Sequence, residues 1–252
     1  MLTAVSASVS ALEFVSAAAR RAPRVDHNVS WKIAPAGYTL QFRAPADYGE
    51  RPQDDRRLRI NCGSGVEFAR YAVRSLGHAC IVRVVPNTED SALLATLTET
   101  YALDQTPAEL SMITAMRMAD WPASAPHAQV LLDDLFALLG AAARDRGCWI
   151  RRVEPPVAQP LRSAFSLLGG ADIETVAPHP APTAWLVVGS DVDDAPTQVR
   201  IGRVFAQTVL YLRFAGLRWH ALRPVPEVPT ALAHVGHELS LIGTPQLVLA
   251  VG

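Results

Sequence analysis

Few side chains in this sequence have the types and spacing that chemistry needs. The run Cys62-Gly63-Ser64-Gly65 precedes an apolar helical repeat, and its glycines would let backbone amides approach an anion at the positive end of a helix. The third glycine of a dinucleotide fingerprint is missing and no strand leads into the run, which argues against a Rossmann site. Ser64 is not framed as Gly-x-Ser-x-Gly, so the nucleophile elbow of a hydrolase fails on the same residues. His234 and His237 stand at i, i+3 beside Glu238 on a helical stretch and could face one metal ion. With no third ligand near in sequence, two residues of an amphipathic helix surface account for them better. Asp191, Asp193 and Asp194 resemble a fragment of a calcium loop without its central glycine and downstream glutamate, and so read as turn and N-cap residues. Cys62, Cys80 and Cys148 are odd in number, well separated and set among apolar or small residues, the pattern of buried thiols in a reducing cytoplasm. Among 23 basic residues only Lys32 is a lysine, and Schiff-base chemistry is not expected of it.

The elements that must carry any site are marked by apolar periodicity. Leu12, Val15 and Ala19 recur at helical spacing from about Ser8, and Pro23 closes that helix before a polar loop at 24–30. Extended segments at 31–33 and 38–42, separated by Pro35 and Gly37, predict a hairpin, and a charged loop follows at 47–57. A unit at 63–86 combines a helix bearing Val66, Ala69, Val73 and Leu76, a stop at Gly77 and a strand over 79–85. The same shape returns at 202–226, with Phe205, Val209 and Leu212 on a helix, a stop at Gly216 and a strand from Leu217. The spacing from Gly63 to Gly77 equals that from Gly202 to Gly216, with Arg74 and Arg213 at the same offset, which points to an internal duplication. Between the copies, Thr106-Pro107-Ala108-Glu109 has the form of a capping box and starts a helix. A helix at 127–146 is expected to bury Val130, Leu131, Leu135, Leu138 and Leu139, stops at Gly147 and feeds a strand over 149–153. Later come a short helix at 161–168, a buried strand at 185–188, an acidic turn at 189–195, a helix at 230–242 and a closing strand at 246–251.

With 252 residues, half of them apolar, the chain can bury a full core without metal or disulfide help. The net charge of −1 and the dispersed arginines exclude a basic stripe for nucleic acid. Scarcity of lysine suggests a GC-rich bacterial genome. The N-terminal stretch has no cationic start and is interrupted by Glu13, which argues against a signal peptide, and no run of about 18 uncharged apolar residues would span a membrane. A cytoplasmic protein is expected. Trp31, Trp121, Trp149, Trp185 and Trp219 are mostly core candidates.

The segment Arg21-Ala22-Pro23-Arg24-Val25-Asp26-His27-Asn28-Val29-Ser30-Trp31 resembles the signature of the nitroreductase family, Ala-Pro-Ser followed by a His-Asn pair and Gln-Pro-Trp. It is most similar to the Acg-like branch, in which two nitroreductase halves are fused in one chain. Arg56, Ile60-Asn61-Cys62-Gly63, the helix with Arg70, the Leu76-Gly77 stop and the strand ending at Pro86 match the first half of that branch. The helix from Gly202, Ala215-Gly216-Leu217 and Gly243-Thr244-Pro245-Gln246-Leu247 match the end of the second.

This resemblance implies an α+β, nitroreductase-like three-layer sandwich, residues 1–252 forming one unit from half-repeats of about 1–114 and 115–252. Helices near 63–76 and 202–215 would pack together at its centre. It implies FMN between the halves, with Arg24, His27, Asn28, Trp31, Cys62, Gly63 and Arg117 as contacts, and either a monomer that imitates a dimer or a homodimer. The family passes hydride equivalents from NAD(P)H to nitro or quinone acceptors, the chemistry belonging to the flavin.

Several positions depart from the pattern. Arg24 replaces the serine, Val29-Ser30 replaces Gln-Pro, and His27-Asn28 is shifted by one residue. The family's Arg-Arg-Ser/Thr-x-Arg reads Met116-Arg117-Met118-Ala119-Asp120, and only a modest connector, 154–183, stands where the branch carries a cover over the flavin. Each charge-assisted donor to a phosphate is worth roughly 1.5–3 kcal/mol, and Arg24 stands where one is wanted. The expectation is a flavin-holding protein with weak or no turnover. The alternatives are an NAD(P)H-dependent nitro or quinone oxidoreductase and a ligand-free pseudoenzyme that serves as an interaction protein.

Overall fold

Two antiparallel sheets are built from segments that alternate with amphipathic helices, as seen in a computed structural model that describes residues 2–28, 30–49, 52–84, 89–118, 128–153, 184–221 and 243–252. In chain order the elements are α1 (Leu2–Arg20), β1 (Lys32–Ala36), β2 (Thr39–Arg43), α2 (Pro52–Ser75), β3 (His78–Val84), β4 (Leu93–Ala102) and α3 (Pro107–Arg117). There follow α4 (Ala128–Arg144), β5 (Cys148–Val153), β6 (Ala184–Ser190), α5 (Ala195–Phe214), β7 (Trp219–Ala221) and β8 (Thr244–Val251). The fold is α+β, as the resemblance implies.

The first sheet has the strand order β1-β2-β4-β3 and the second the order β5-β6-β8-β7, so each strand of one half has a counterpart in the same place in the other. Both sheets are antiparallel throughout. The correspondence reaches an irregularity: the ladder slips between Phe42 and Arg43 where β2 meets β4, and between Val188 and Gly189 where β6 meets β8. Such shifts bend a strand locally.

One core gathers α1, α2 and α3 against the first sheet around Phe42, Leu94, Leu97, Tyr71 and Met112, all nearly or fully buried. The second gathers α4 and α5 against the second sheet around Leu139, Phe205, Leu186 and Leu249, whereas Leu138, expected in this core, lies on the outer face of α4 and is exposed. β6 is buried along its whole length, which fits its unbroken apolar run.

The halves meet where α2 crosses α5, the most extensive helix contact in the molecule. A Cβ on Gly63 would overlap the carbonyl oxygen of Val199 and lie 2.9 Å from the Cα of Gly202. A Cβ on Gly202 would overlap the carbonyl oxygen of Ile60 and lie 2.9 Å from the Cα of Gly63. These contacts are reciprocal, as a pseudo-two-fold axis through the crossing requires. Farther on, Arg74 ties the start of α3 through Glu109 and the carbonyls of Leu103 and Asp104, while Arg213, at the same offset in its own half, donates to the carbonyl of Met118 at the end of α3.

The structure corrects several boundaries. Residues 52–57, expected in a charged loop, form the first turns of α2, because Asp54 and Asp55 suit a helix N-terminus and pair with Arg57 and Arg59 one turn on. Gly63 is therefore mid-helix and not at a helix start. In the second half β6 runs to Ser190, and α5 begins at Ala195, capped by Asp194. The strand β4, unassigned from the sequence, lies in the middle of its sheet between β2 and β3. The capping box at Thr106 and Glu109 is present. The helices expected at 161–168 and 230–242, with His234, His237 and Glu238, and Trp121, lie outside the described residues. Among the described residues no helix is long and apolar enough to cross a membrane.

Candidate functional site at the seam of the halves

The loop over 21–31 lies along one stripe of α2. Arg57, Asn61 and Gly65, each one turn beyond the last, receive it. Arg57 Nη1 reaches Asp26 Oδ2 at 2.8 Å. Asn61 takes the loop backbone from both sides: its Oδ1 accepts from the Val25 amide at 2.9 Å and its Nδ2 donates to the Asp26 carbonyl at 2.7 Å. At Gly65 the Trp31 indole occupies the volume of the missing Cβ, and it also packs at 5.4 Å on Phe42. Asp26 closes an Asx turn by accepting from the Asn28 amide at 2.8 Å. Val25 meanwhile packs on the second-half core. The loop therefore bridges the two halves, anchored to one by hydrogen bonds and to the other by burial.

This arrangement leaves His27 and Asn28 exposed and Arg24 half-buried, with one Arg24 Nη donating only to the Arg20 carbonyl at 3.4 Å. Arg20 and Arg21, both exposed, stand beside Arg24. None of the three has an ion pair among the described residues. Their charges, unspent on carboxylates, make the end of α1 a local donor set for an anion.

Of the residues singled out from sequence, the structure brings Arg24, His27, Asn28 and Trp31 together on this loop. Cys62 is fully buried in the first core and Gly63 faces Val199 and Gly202, so the pair expected to contact a ligand is occupied in packing. Arg117 is exposed at the end of α3, next to the residue that Arg213 holds. Arg213 is eleven residues past Gly202 on α5, roughly 16 Å along the helix axis, so Arg117 stands apart from the loop.

A second polar group lies across the helix crossing. Glu67 of α2 is fully buried, and three arginines converge on it. Arg70 lies 2.8–2.9 Å from Oε1, Arg146 of the turn before β5 lies 3.0 Å from the same oxygen, and Arg203 of α5 donates to Oε2 at 2.9 Å. Burial alone would raise the Glu67 pKa, but Arg70, Arg203 and Arg146 outweigh it and hold the carboxyl far below the usual carboxylate range. Arg70 lies over the Tyr71 ring at 4.1 Å. Sequence reasoning passed over this group. The available signal was an acid inside the apolar run Val66-Glu67-Phe68-Ala69, since a buried acid needs paired cations.

The remaining candidates are structural. Burial raises all three thiols, that of Cys148 up to about 11, so none is poised as a nucleophile. Asp193 is gripped by both Nη atoms of Arg56, at 2.9 and 2.7 Å, and Asp194 caps α5 by accepting from the Thr197 amide at 2.8 Å. Both are turn and cap residues, as their spacing implied. Among the described residues no three His, Cys, Asp or Glu side chains are grouped to hold a metal. No protein-family model matches the chain, and no curated protein matches it.

Proposed function

We propose that this chain is an FMN-binding protein with a nitroreductase-like sandwich, one that holds the flavin with weak or no turnover. The observation that supports this reading best is the loop over 21–31, which bridges two halves of identical strand order and presents Arg24, His27 and Asn28 at their seam. That is where the sequence resemblance puts the flavin.

The donor chemistry fits a phosphate-bearing cofactor on this loop: Arg20, Arg21 and Arg24 have no carboxylate partner among the described residues. The fit does not extend to Cys62 and Gly63, whose surroundings are filled by their own chain. FMN, when bound, would supply hydride and electron transfer. The chain's part would be to hold the loop rigid through Asn61 and Arg57, to offer guanidinium and amide donors, and to back the loop with Trp31. The lost serine, the lost Gln-Pro and the single arginine at 116–120 remove donors for the flavin phosphate, and Arg24 would stand in for them.

Optical spectra of freshly purified protein, followed by titration with FMN, test the reading. Flavin absorbance and saturable binding are expected, with Arg24→Gln weakening binding by about tenfold or more. Colourless protein that ignores added FMN would leave the pseudoenzyme, and oxidation of NAD(P)H with a nitroaromatic acceptor well above that of free FMN would replace the holding role by the reductase.

A further inference from the structure

The group around Glu67 has more positive charge than its own carboxylates neutralise. Among the described residues Arg70, Arg74, Arg146 and Arg203 have ion pairs with Glu67 and Glu109 alone, which leaves two positive charges over within this group. Glu67 is 0% exposed, while the side chains of Arg70, Arg146 and Arg203 keep 19%, 15% and 14%, so the cluster has an interior anchor and an open rim.

Donors remain on that rim. Arg203 uses Nε on Glu67, and its two Nη atoms have no hydrogen-bond partner among the described residues. Arg146 spends one Nη on Glu67 and the other on the Ala142 carbonyl, leaving its buried Nε unpartnered. Arg70 Nη1 has only a long contact, 3.7 Å, to Glu109, which Arg74 already holds in a fork. Unmatched guanidinium donors in a partly desolvated place are costly, and a planar fork suits phosphate oxygens. Burial first, and then the repulsion of Arg146, draw Arg203 below its ordinary value in spite of Glu67.

We propose that Arg70, Arg146 and Arg203, anchored on Glu67, form a binding site for a phosphate dianion, either free phosphate or a phosphomonoester, separate from the loop over 21–31. The excess charge equals that of the ligand, so its arrival would neutralise the cluster. The site draws one arginine from each of α2, the α4–β5 turn and α5, and so occupancy would tighten the crossing of the halves.

Isothermal titration of the full chain with inorganic phosphate, at constant ionic strength set by chloride, tests this. One saturable site per chain is expected, with Arg203→Gln weakening it by about tenfold or more and Arg24→Gln leaving it unchanged. Should Arg203→Gln fail to fold, Arg203→Lys, which keeps the charge but loses the fork, is read in its place and should still weaken binding. Repeating the titration with glycerol phosphate separates the sources: tighter binding of the ester identifies a phosphomonoester, and weaker binding identifies free phosphate. Absence of saturable binding to the wild-type chain, or unchanged affinity in the folded Arg203 variant, would overturn the proposal.

Discussion

The first half and the second half share a strand order but treat the approach to their leading strand differently. In the first half the eleven residues over 21–31 form a long loop, fixed by the Arg57–Asp26 pair and by Asn61, which reads backbone atoms, and the three arginines at its start have no ion pair among the described residues. In the second half only residues 145–147 separate α4 from β5, and Arg146 of that turn plunges into an ionic network around Glu67. The comparison teaches that a common architecture fixes where a connection arrives but not how its charge is used. One copy offers donors to solvent, whereas the other buries them around a carboxylate.

The sharpest way to break that contrast is to remove the carboxylate. Glu67→Gln would leave three arginines without their partner, and a loss of about 3–5 kcal/mol of unfolding free energy is expected in urea. A loss below about 1 kcal/mol would mean that the network is as dispensable as a surface pair. Substitution at the crossing comes next. Gly202→Ala forces a methyl onto the Ile60 carbonyl and should cost about 1–3 kcal/mol, and Gly63→Ala should cost a similar amount, since the contacts are reciprocal. A large difference between the two would deny the pseudo-symmetry.

Acid should act on the charged network around Glu67 and Glu109. Hydrogen bonding to Arg74 holds Glu109 down to about 2, and Glu67 is likewise held low. Carboxylates depressed in the folded state contribute stability above their unfolded pKa of roughly 4.3 and lose it as pH falls toward the folded value. Circular dichroism should therefore show stability falling between about pH 4.5 and 2, and Glu109→Gln should flatten that dependence. The smallest effects belong to the caps. Asp194→Ala and Thr106→Ala should each cost about 1 kcal/mol in chemical denaturation, and a clearly larger loss for Asp194→Ala would single out the turn before α5 as the more strained start.

Much of this arrangement was legible from residues alone. The stops at Gly77 and Gly216, both at positive φ, and the box at Thr106 are local signals that depend only on neighbouring atoms. The equal spacings around Gly63 and Gly202 correctly pointed to two related helices at the centre. What could not be read was which face each glycine turns, because a glycine before an apolar helical repeat looks the same whether an anion or another helix approaches it. The charged run at 52–57 was hidden for a similar reason: a solvated loop and a paired helical turn have the same composition, and only the i, i+3 and i, i+4 partners distinguish them. The Glu67 network was the least legible part, since its members are far apart in the chain and meet only after α2, α4 and α5 have packed.

The mutual fit of Gly63 and Gly202 has a consequence for how such a chain can drift over generations. The outer edges of either sheet are free to diverge alone, because each touches mainly its own surroundings. At the crossing each copy is the other's mould, so neither residue can acquire even the smallest side chain while its counterpart stands still, and that one place keeps a memory of sameness after the rest has been rewritten.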